Sequence, residues 1–530
     1  MSISLRQPCD AALLHKQTSS APCAATAEKW ILAATILASS MAFIDGTVVN
    51  VGLPALQSNL HASVTEVQWV VEAYSLFLSA FLLLGGSLGD HYGRRRFFLL
   101  GVIIFTLGSV WCGVAPGIGP LIMGRGVQGA GGALLVPGSL AIISASFPEE
   151  RRGRAIGTWS GFTAIMAAIG PLLGGWLIQQ FSWRAIFFIN LPLALAVVWL
   201  SLRHLGESRD ESEHGRLDWT GACLTVLSLG GIISGLIESS RLGFAHPFVW
   251  SALGGGLFFG ICFLGWEARV SSPMLPFSLF RSRNFSGANL LTLLLYAALG
   301  GTLFFLPLNL IQVQGYTPPQ AGAALLPFIL LMFLLSRWGG GLVERYGARW
   351  PLVIGPLITG LGFALFLRPG VGGSYWQTFF PAVVVLGIGM ATSVAPLTTT
   401  VMNSTAPNRV GIASGINNMV ARAAGLLAIA VFGVVMIHVF DRNLNAQASR
   451  LQLSPGGAQI LSAQRANLAA VKFPPGTPAA TRAQVKQAVA VAFVSGFRAV
   501  MLIGCGLAVG SALVAGLLIR RKEQLVPGGP

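Results

Sequence analysis

From Trp30 onward the chain is a succession of apolar runs, each about as long as a bilayer is thick, separated by short polar connectors. The runs fall near 30–54, 66–88, 97–115, 119–147, 155–180, 185–202, 217–238, 247–266, 285–313, 320–342, 351–367, 377–401, 411–438 and 490–519, fourteen in all. A helix that crosses a membrane needs about 20 consecutive apolar residues, and inside lipid the backbone must satisfy its own hydrogen bonds, which leaves helices or a closed barrel. Runs of this length fit helices. The expectation is an all-α integral membrane protein of fourteen transmembrane helices.

Composition agrees. Of 530 residues 54% are apolar and 10% charged, with 66 glycines and a mean hydropathy of +0.70, which excludes an ordinary soluble domain, a disordered chain and an enzyme held by a single anchor. Nothing resembles a nucleotide loop, an HExxH motif or a metal-ligand cluster, and the seven histidines are scattered, so the chain is read as a non-enzyme without cofactor or metal. Cys112, Cys223, Cys262 and Cys505 each lie alone in an apolar run, and Cys9 and Cys23 lie in the leading tail. Their spacing suits neither a disulfide framework nor a metal.

The net charge of +16 points to topology rather than to nucleic acid, because the basic residues sit between the apolar runs. With the N-terminus inside, 21 of the 34 Lys and Arg fall in inner segments, against three, Arg184, Arg241 and Arg368, in the short outer loops. Six lie in the long segment 441–489, and four, Arg125, Arg337, Arg422 and Arg498, lie within spans. Both tails, 1–29 and 520–530, are therefore expected in the cytoplasm, with 441–489 outside as a partly helical cap or a linker.

An internal repeat divides the runs. Gly86-Ser-Leu-Gly89-Asp90-His-Tyr92-Gly93-Arg94-Arg95 recurs as Gly340-Gly-Leu-Val343-Glu344-Arg-Tyr346-Gly347-Ala-Arg349, 254 residues later. Gly153-Arg-Ala155-Ile-Gly157 recurs as Gly411-Ile-Ala413-Ser-Gly415. Each falls at an inner loop after an even-numbered span, which predicts two parallel six-helix halves, 30–203 and 285–519, with an inserted helix pair and its loops at 204–284.

These motifs resemble the major facilitator superfamily, and the inserted pair makes the chain similar to its fourteen-span drug:proton antiporter branch, the EmrB/QacA type. Met41 to Pro54 looks like the first-span signature of that branch, Gly86 to Arg95 like the superfamily's loop signature, and Arg125-Gly-Val-Gln128-Gly129 like the fourth-span motif. Gly161 through Gly170-Pro171-Leu-Leu-Gly174-Gly175 resembles the fifth-span antiporter motif, and Trp183 to Pro192 and Gly411 to Arg422 also look like the branch. The second loop copy departs from the pattern, with Val343 and Glu344 in place of Gly and Asp. The resemblance implies a proton-driven multidrug or small-molecule efflux transporter in the cytoplasmic (inner) membrane, working by alternating access on a small lipophilic substrate, cationic or neutral. Alternatives left open are an exporter of one endogenous metabolite or antibiotic, and an importer or uniporter of the same fold. The expected partners are that substrate, protons and the bilayer, with no nucleic acid; no periplasmic adaptor can be inferred.

Charges inside spans are costly and so mark function. At 1.5 Å per residue, Asp45, Glu72 and Arg125 all lie about 9 to 14 Å below the outer surface, a level at which two carboxylates and a guanidinium can pair or titrate, which is what proton coupling needs. Asp90 is expected to cap a facing helix, with Arg94 and Arg95 pairing inner acids such as Glu149 to close an inner gate. Gly161, Gly170, Gly174 and Gly175 let helices approach, and Pro171 allows a bend. The candidate substrate cavity comprises Phe43, Asn50, Trp69, Tyr74 and Gln128 from the first half and Tyr296, Asn309, Asn417, Asn418 and Arg422 from the second. Phe77, Trp159 and Gln312 are further possible members.

Overall fold

The computed structural model describes residues 25–208, 218–270, 273–405, 410–450, 468 and 477–520. The leading tail to residue 24, most of 451–476, the C-terminal tail from 521, and the side chains of Asp90, Glu149, Arg337 and Glu344 lie outside the described parts.

The described elements are helical throughout. They run α1 Ala25–Asn59, α2 Val64–Tyr92, α3 Arg94–Val114, α4 Ile118–Ser146, α5 Glu149–Gln180, α6 Ala185–Phe188, α7 Asn190–His204, α8 Trp219–Leu242 and α9 Pro247–Glu267. After a 3₁₀ turn over Phe277–Arg281 come α10 Arg283–Leu308, α11 Pro318–Ala323, α12 Leu326–Tyr346, α13 Arg349–Leu365, α14 Tyr375–Thr378, α15 Phe380–Asn403, α16 Val410–Arg450 and α17 Ala479–Leu518. Among the described residues eleven helices are long and apolar enough to cross a bilayer. The other expected runs are helical too, in α2, α5 and the 17-residue α13.

Prolines and caps set the local detail. Ser282 caps α10 by accepting the Phe285 N–H, and Thr317 with Gln320 forms a capping box on α11, each supplying a partner to an otherwise orphan first-turn amide. Pro54, Pro137, Pro171, Pro307, Pro356 and Pro396 lie inside helices, where packing against neighbours compensates the lost amide. Beyond Pro307, α10 widens into a π-helical turn over Asn309–Val313, in which the Gln314 amide reaches the Asn309 carbonyl.

Of the segment 441–489, the described residues 441–450 and 479–489 are helical. α16 continues unbroken to Arg450, 41 residues, and α17 begins at Ala479. At 1.5 Å per residue α16 is about 60 Å long, twice the hydrocarbon thickness, so its end projects beyond the apolar layer.

Two compact units can be distinguished. One holds the described residues up to Ala55 with Trp69–Gly230 and Leu257–Met274; the other holds Leu56–Gln68, Gly231–Gly256 and the described residues from Leu275 onward. In the first, α4 is pressed against α2 and α3 through glycine: a Cβ on Gly129 would lie 2.3 Å from the Tyr74 carbonyl oxygen, and one on Gly108 2.7 Å from the Gln128 amide. Backbones can approach this closely only where small residues line the contact. The core there is built on Phe98, Phe105, Leu135, Ile143 and Val197. In the second unit α10 meets α16 the same way, Gly300 on Gly425 and Gly301 on the Phe432 ring.

Candidate functional site: a buried charge cluster

The apolar packing of the first unit encloses a cluster of polar groups. Asp45 of α1 and Arg125 of α4 are 0% and 1% exposed and form an ion pair at 2.5 Å. The guanidinium also donates to the Gln128 Oε1 at 2.7 Å and, through Nε, to the Val70 carbonyl at 3.0 Å. Gln128, one helical turn after Arg125, donates from Nε2 to the other Asp45 oxygen at 2.7 Å. Both carboxylate oxygens are thus engaged, one by a charge and one by an amide. The Arg125 guanidinium lies over the Tyr74 ring, 4.3 Å from Cζ to the ring centroid, and the Tyr74 hydroxyl donates to the Ala42 carbonyl; such cation–π contact gains strength when desolvated.

The cluster extends to two residues that spacing did not single out for it. Ser109 of α3 accepts from Gln128 at 3.3 Å and from Asn190 Nδ2 at 2.8 Å, and donates to the Phe187 carbonyl at 2.9 Å. Asn190 stands in the Trp183–Pro192 motif, but nothing in a one-dimensional pattern marks Ser109. Glu72 is arranged differently. It is fully buried, and among the described residues neither carboxylate oxygen has a hydrogen-bond partner. The three charges expected at one level therefore resolve into a closed pair, Asp45 with Arg125, and a separate lone acid.

The antiporter-type glycines form a seam between α1 and α5. A Cβ on Gly170 would lie 2.1 Å from Thr47 Oγ1, and one on Gly174 2.3 Å from Val48 Cγ2; Pro171 and Gly175 are buried beside them. Gly161 faces open space, so it is no part of the seam. Trp159 donates its indole N–H to Ser39 at 3.0 Å, and Ser39 bonds Ser139, a polar tie among α1, α4 and α5.

At the loop motif the described acid in contact is Glu207, while the side chain of the expected partner Glu149 lies outside the described parts. The Glu207 carboxylate sits at the start of α3, accepting the Arg95 backbone N–H at 3.0 Å with the Arg96 guanidinium 3.7 Å away, while the Arg94 N–H donates to the Ser208 carbonyl. Gly93 makes room for it with φ of +117°. Glu207 is distant in sequence and its sequence neighbourhood carries no signature. Gly86 and Gly89 precede this turn, the Gly93 amide closing on the Gly89 carbonyl at 3.0 Å.

In the other residues proposed for a cavity, polar side chains are largely engaged with their own helices or neighbours. Asn417 of α16 donates to Asn289 Oδ1 and Thr292 Oγ1 of α10 at 3.2 and 2.7 Å, holding two helices together. Asn309 accepts from Gln314, Asn418 donates to the Ser414 carbonyl, and Asn50 donates weakly to the Gly46 carbonyl. Tyr296 and Arg422 act on each other electrostatically, and Phe43 and Trp69 are half-buried. Gln312 in the π-turn donates to Gln57 at 2.8 Å. Arg498, a charge within a span, donates to the carbonyls of Arg368 and Pro369 and so fastens the loop after α13.

Comparison with known proteins gives this geometry its setting. Residues 35–429 match the family model described as Major Facilitator Superfamily. The multidrug resistance protein Stp of Mycobacterium tuberculosis strain H37Rv is 34% identical over 442 residues, 81% of this chain and 80% of its own. The tetracenomycin C resistance and export protein of Streptomyces glaucescens is 31% identical over 503 residues, 93% and 91% of the two chains. Among solved structures, a bacterial homologue of the human lysosomal transporter Spinster, inward-facing and unoccupied, superposes with a TM-score of 0.67 over 95% of this chain and all of its own, at 17% identity, a likeness of fold alone. With its apolar helices and buried polar cluster, this multi-pass membrane protein belongs to the major facilitator superfamily.

Proposed function

We propose that the protein exports a small lipophilic compound across the cytoplasmic membrane in exchange for protons, as a fourteen-span antiporter of the EmrB/QacA type with both termini in the cytoplasm. In this reading residues 30–203 and 285–519 are the two six-helix halves, 204–284 carries the inserted pair, and the substrate cavity is drawn from the residues named above. Homology to proteins named for multidrug resistance and for antibiotic resistance and export supports the substrate class.

The observation that carries the coupling is the contrast between the two buried acids. Asp45 is closed in by Arg125 and Gln128, whereas Glu72 has no partner on either oxygen among the described residues. An ionised carboxylate without a partner is strongly disfavoured in a dry interior. Glu72 is therefore the acid that takes up and releases the transported proton, and Asp45–Arg125 fixes α1 against α4. Each proton moving inward releases about 2.3 kcal/mol per 100 mV, enough to drive export. No cofactor beyond the gradient is required.

The test is the pH change inside everted, energised vesicles when cationic and neutral drugs are added. Glu72→Gln is expected to abolish drug-induced proton release at normal expression. Retention of coupling in Glu72→Gln together with its loss in a well-folded Asp45→Asn would transfer the role to Asp45. A specific antibiotic exporter is the second reading, favoured by the near full-length match to the tetracenomycin C protein; a response to one compound of the panel alone would select it.

A further inference from the structure

The two copies of the loop motif end differently. In the first, Gly93 precedes α3 and the Glu207 carboxylate occupies the helix start. In the second, 254 residues later, Gly347 with φ of +74° precedes α13, Ala348 offers no side-chain cap, and the helix start opens onto a pocket of about 200 Å³. Asn284, Ala348, Asn403, Ser404 and Arg520 line it, with no carboxylate among the described lining residues. The first copy's helix start is met by Glu207, whereas the described lining at the second includes Arg520; the side chain of Glu344, the acid of that copy, lies outside the described parts.

The polar groups of this pocket are set for an acceptor. The Arg520 backbone N–H donates to Asn284 Oδ1 at 2.8 Å, which anchors the end of α17 over the start of α10. Asn284 is only 7% exposed, and that bond is the one its side chain makes among the described residues, which leaves its amide NH₂ without a partner among them. The Ser404 hydroxyl is spent on the Thr400 carbonyl, and the Arg349 guanidinium on the Gly516 carbonyl. What remains is the Arg520 guanidinium, two side-chain amides and the positive end of a 17-residue helix. A helix start with a nearby cation is matched to an anion of several oxygens.

We propose that this pocket binds a phosphate group. It lies where the starts of α10 and α13 meet the ends of α12, α15 and α17, the face that the arginine distribution assigns to the cytoplasm, and so at the level of lipid headgroups. An anionic phospholipid and inorganic phosphate share the chemistry. The bound group does for α13 what Glu207 does for α3. This site is independent of Glu72 and of the transported compound.

The purified full-length protein in detergent is titrated with phosphatidylglycerol, with phosphatidylcholine or with inorganic phosphate, and its melting temperature is followed, since a ligand of the folded state raises it with concentration. The variants are Arg520→Gln, which removes the cation, and Asn403→Asp, which puts a carboxylate in the pocket. A rise with phosphatidylglycerol but not phosphatidylcholine, lost in both variants, identifies the lipid. A rise with inorganic phosphate alone, lost in both, identifies the free anion. No rise, or the same rise in the native chain and in either folded variant, overturns the site. If Arg520→Gln does not fold, Asn403→Asp decides alone, and drug-induced proton release in everted vesicles carrying the same chains reports separately on the transport reading.

Discussion

Gln128 holds one oxygen of Asp45 at 2.7 Å while accepting, one turn away, from the Arg125 that holds the other. The pair is thus locked by a neutral third group, and none of the three side chains is more than 1% exposed. Removing one charge from such a pair leaves the other uncompensated, at about 3–5 kcal/mol, whereas replacing both by apolar groups is often neutral. Arg125→Ala is expected to lose most folded yield, and Arg125→Leu with Asp45→Leu to recover it. Size-exclusion profiles and melting temperatures check this; a double variant as unstable as the single one contradicts it.

The α1–α5 seam gives a steric prediction. Thr47 Oγ1, already bonded to the carbonyls of Phe43 and Ile44, stands where a Cβ on Gly170 would come, and that Cβ would also lie 3.2 Å from the Ile44 carbonyl oxygen. Gly170→Ala is expected to cost about 1–3 kcal/mol through overpacking. Thr47→Ala in the same chain should restore part of it, a coupling that a double-mutant cycle of melting temperatures measures. Strict additivity would mean that the seam is not the cause.

At Gly93 two penalties coincide. Its φ of +117° suits glycine, and a Cβ there would lie 2.6 Å from Glu207 Oε1, so Gly93→Ala is strained in backbone and contact alike. Glu207→Gln, which keeps the shape and an acceptor, is expected to be milder, and Glu207→Ala to relieve only the contact part of Gly93→Ala. Melting temperatures of the four chains test the order.

Tyr375 lies outside the spans, donating its hydroxyl to the Ala324 carbonyl at 2.8 Å. Burial pushes its phenol up to about 12, and the neighbouring Tyr316 adds to it. A group raised in the folded state contributes stability that is fully present below its unfolded value, about 10, and is lost as pH climbs toward 12. Tyr375→Phe is therefore expected to cost about 1 kcal/mol at neutral pH and to flatten the alkaline loss of stability between pH 10 and 12. An unchanged alkaline profile would place that loss elsewhere.

Hydropathy made the helical class and the positions of the apolar runs legible, because in lipid the backbone must satisfy itself and the choice of structures is short. Asp45, Glu72 and Arg125 were legible as a level in the membrane, since depth along a helix follows from counting residues, and Gln128 as a motif member. Their pairing was not, because rotation about the helix axis decides which faces meet, and that is set by packing. Ser109, one of two hydroxyls in an apolar run with Thr106, enters the cluster only because α3 lies against α4 at Gly108.

Glu207 shows the same division. Sequence alone determined that Gly93 and the arginines after it belong to a loop signature, and that the motif recurs at Gly347. Tertiary structure decided which anion meets that start, because the acid arrives from the far end of α7, 114 residues after Gly93. Local chemistry is written residue by residue along the chain, whereas the partner of a buried or capping charge is chosen by which helices pack together.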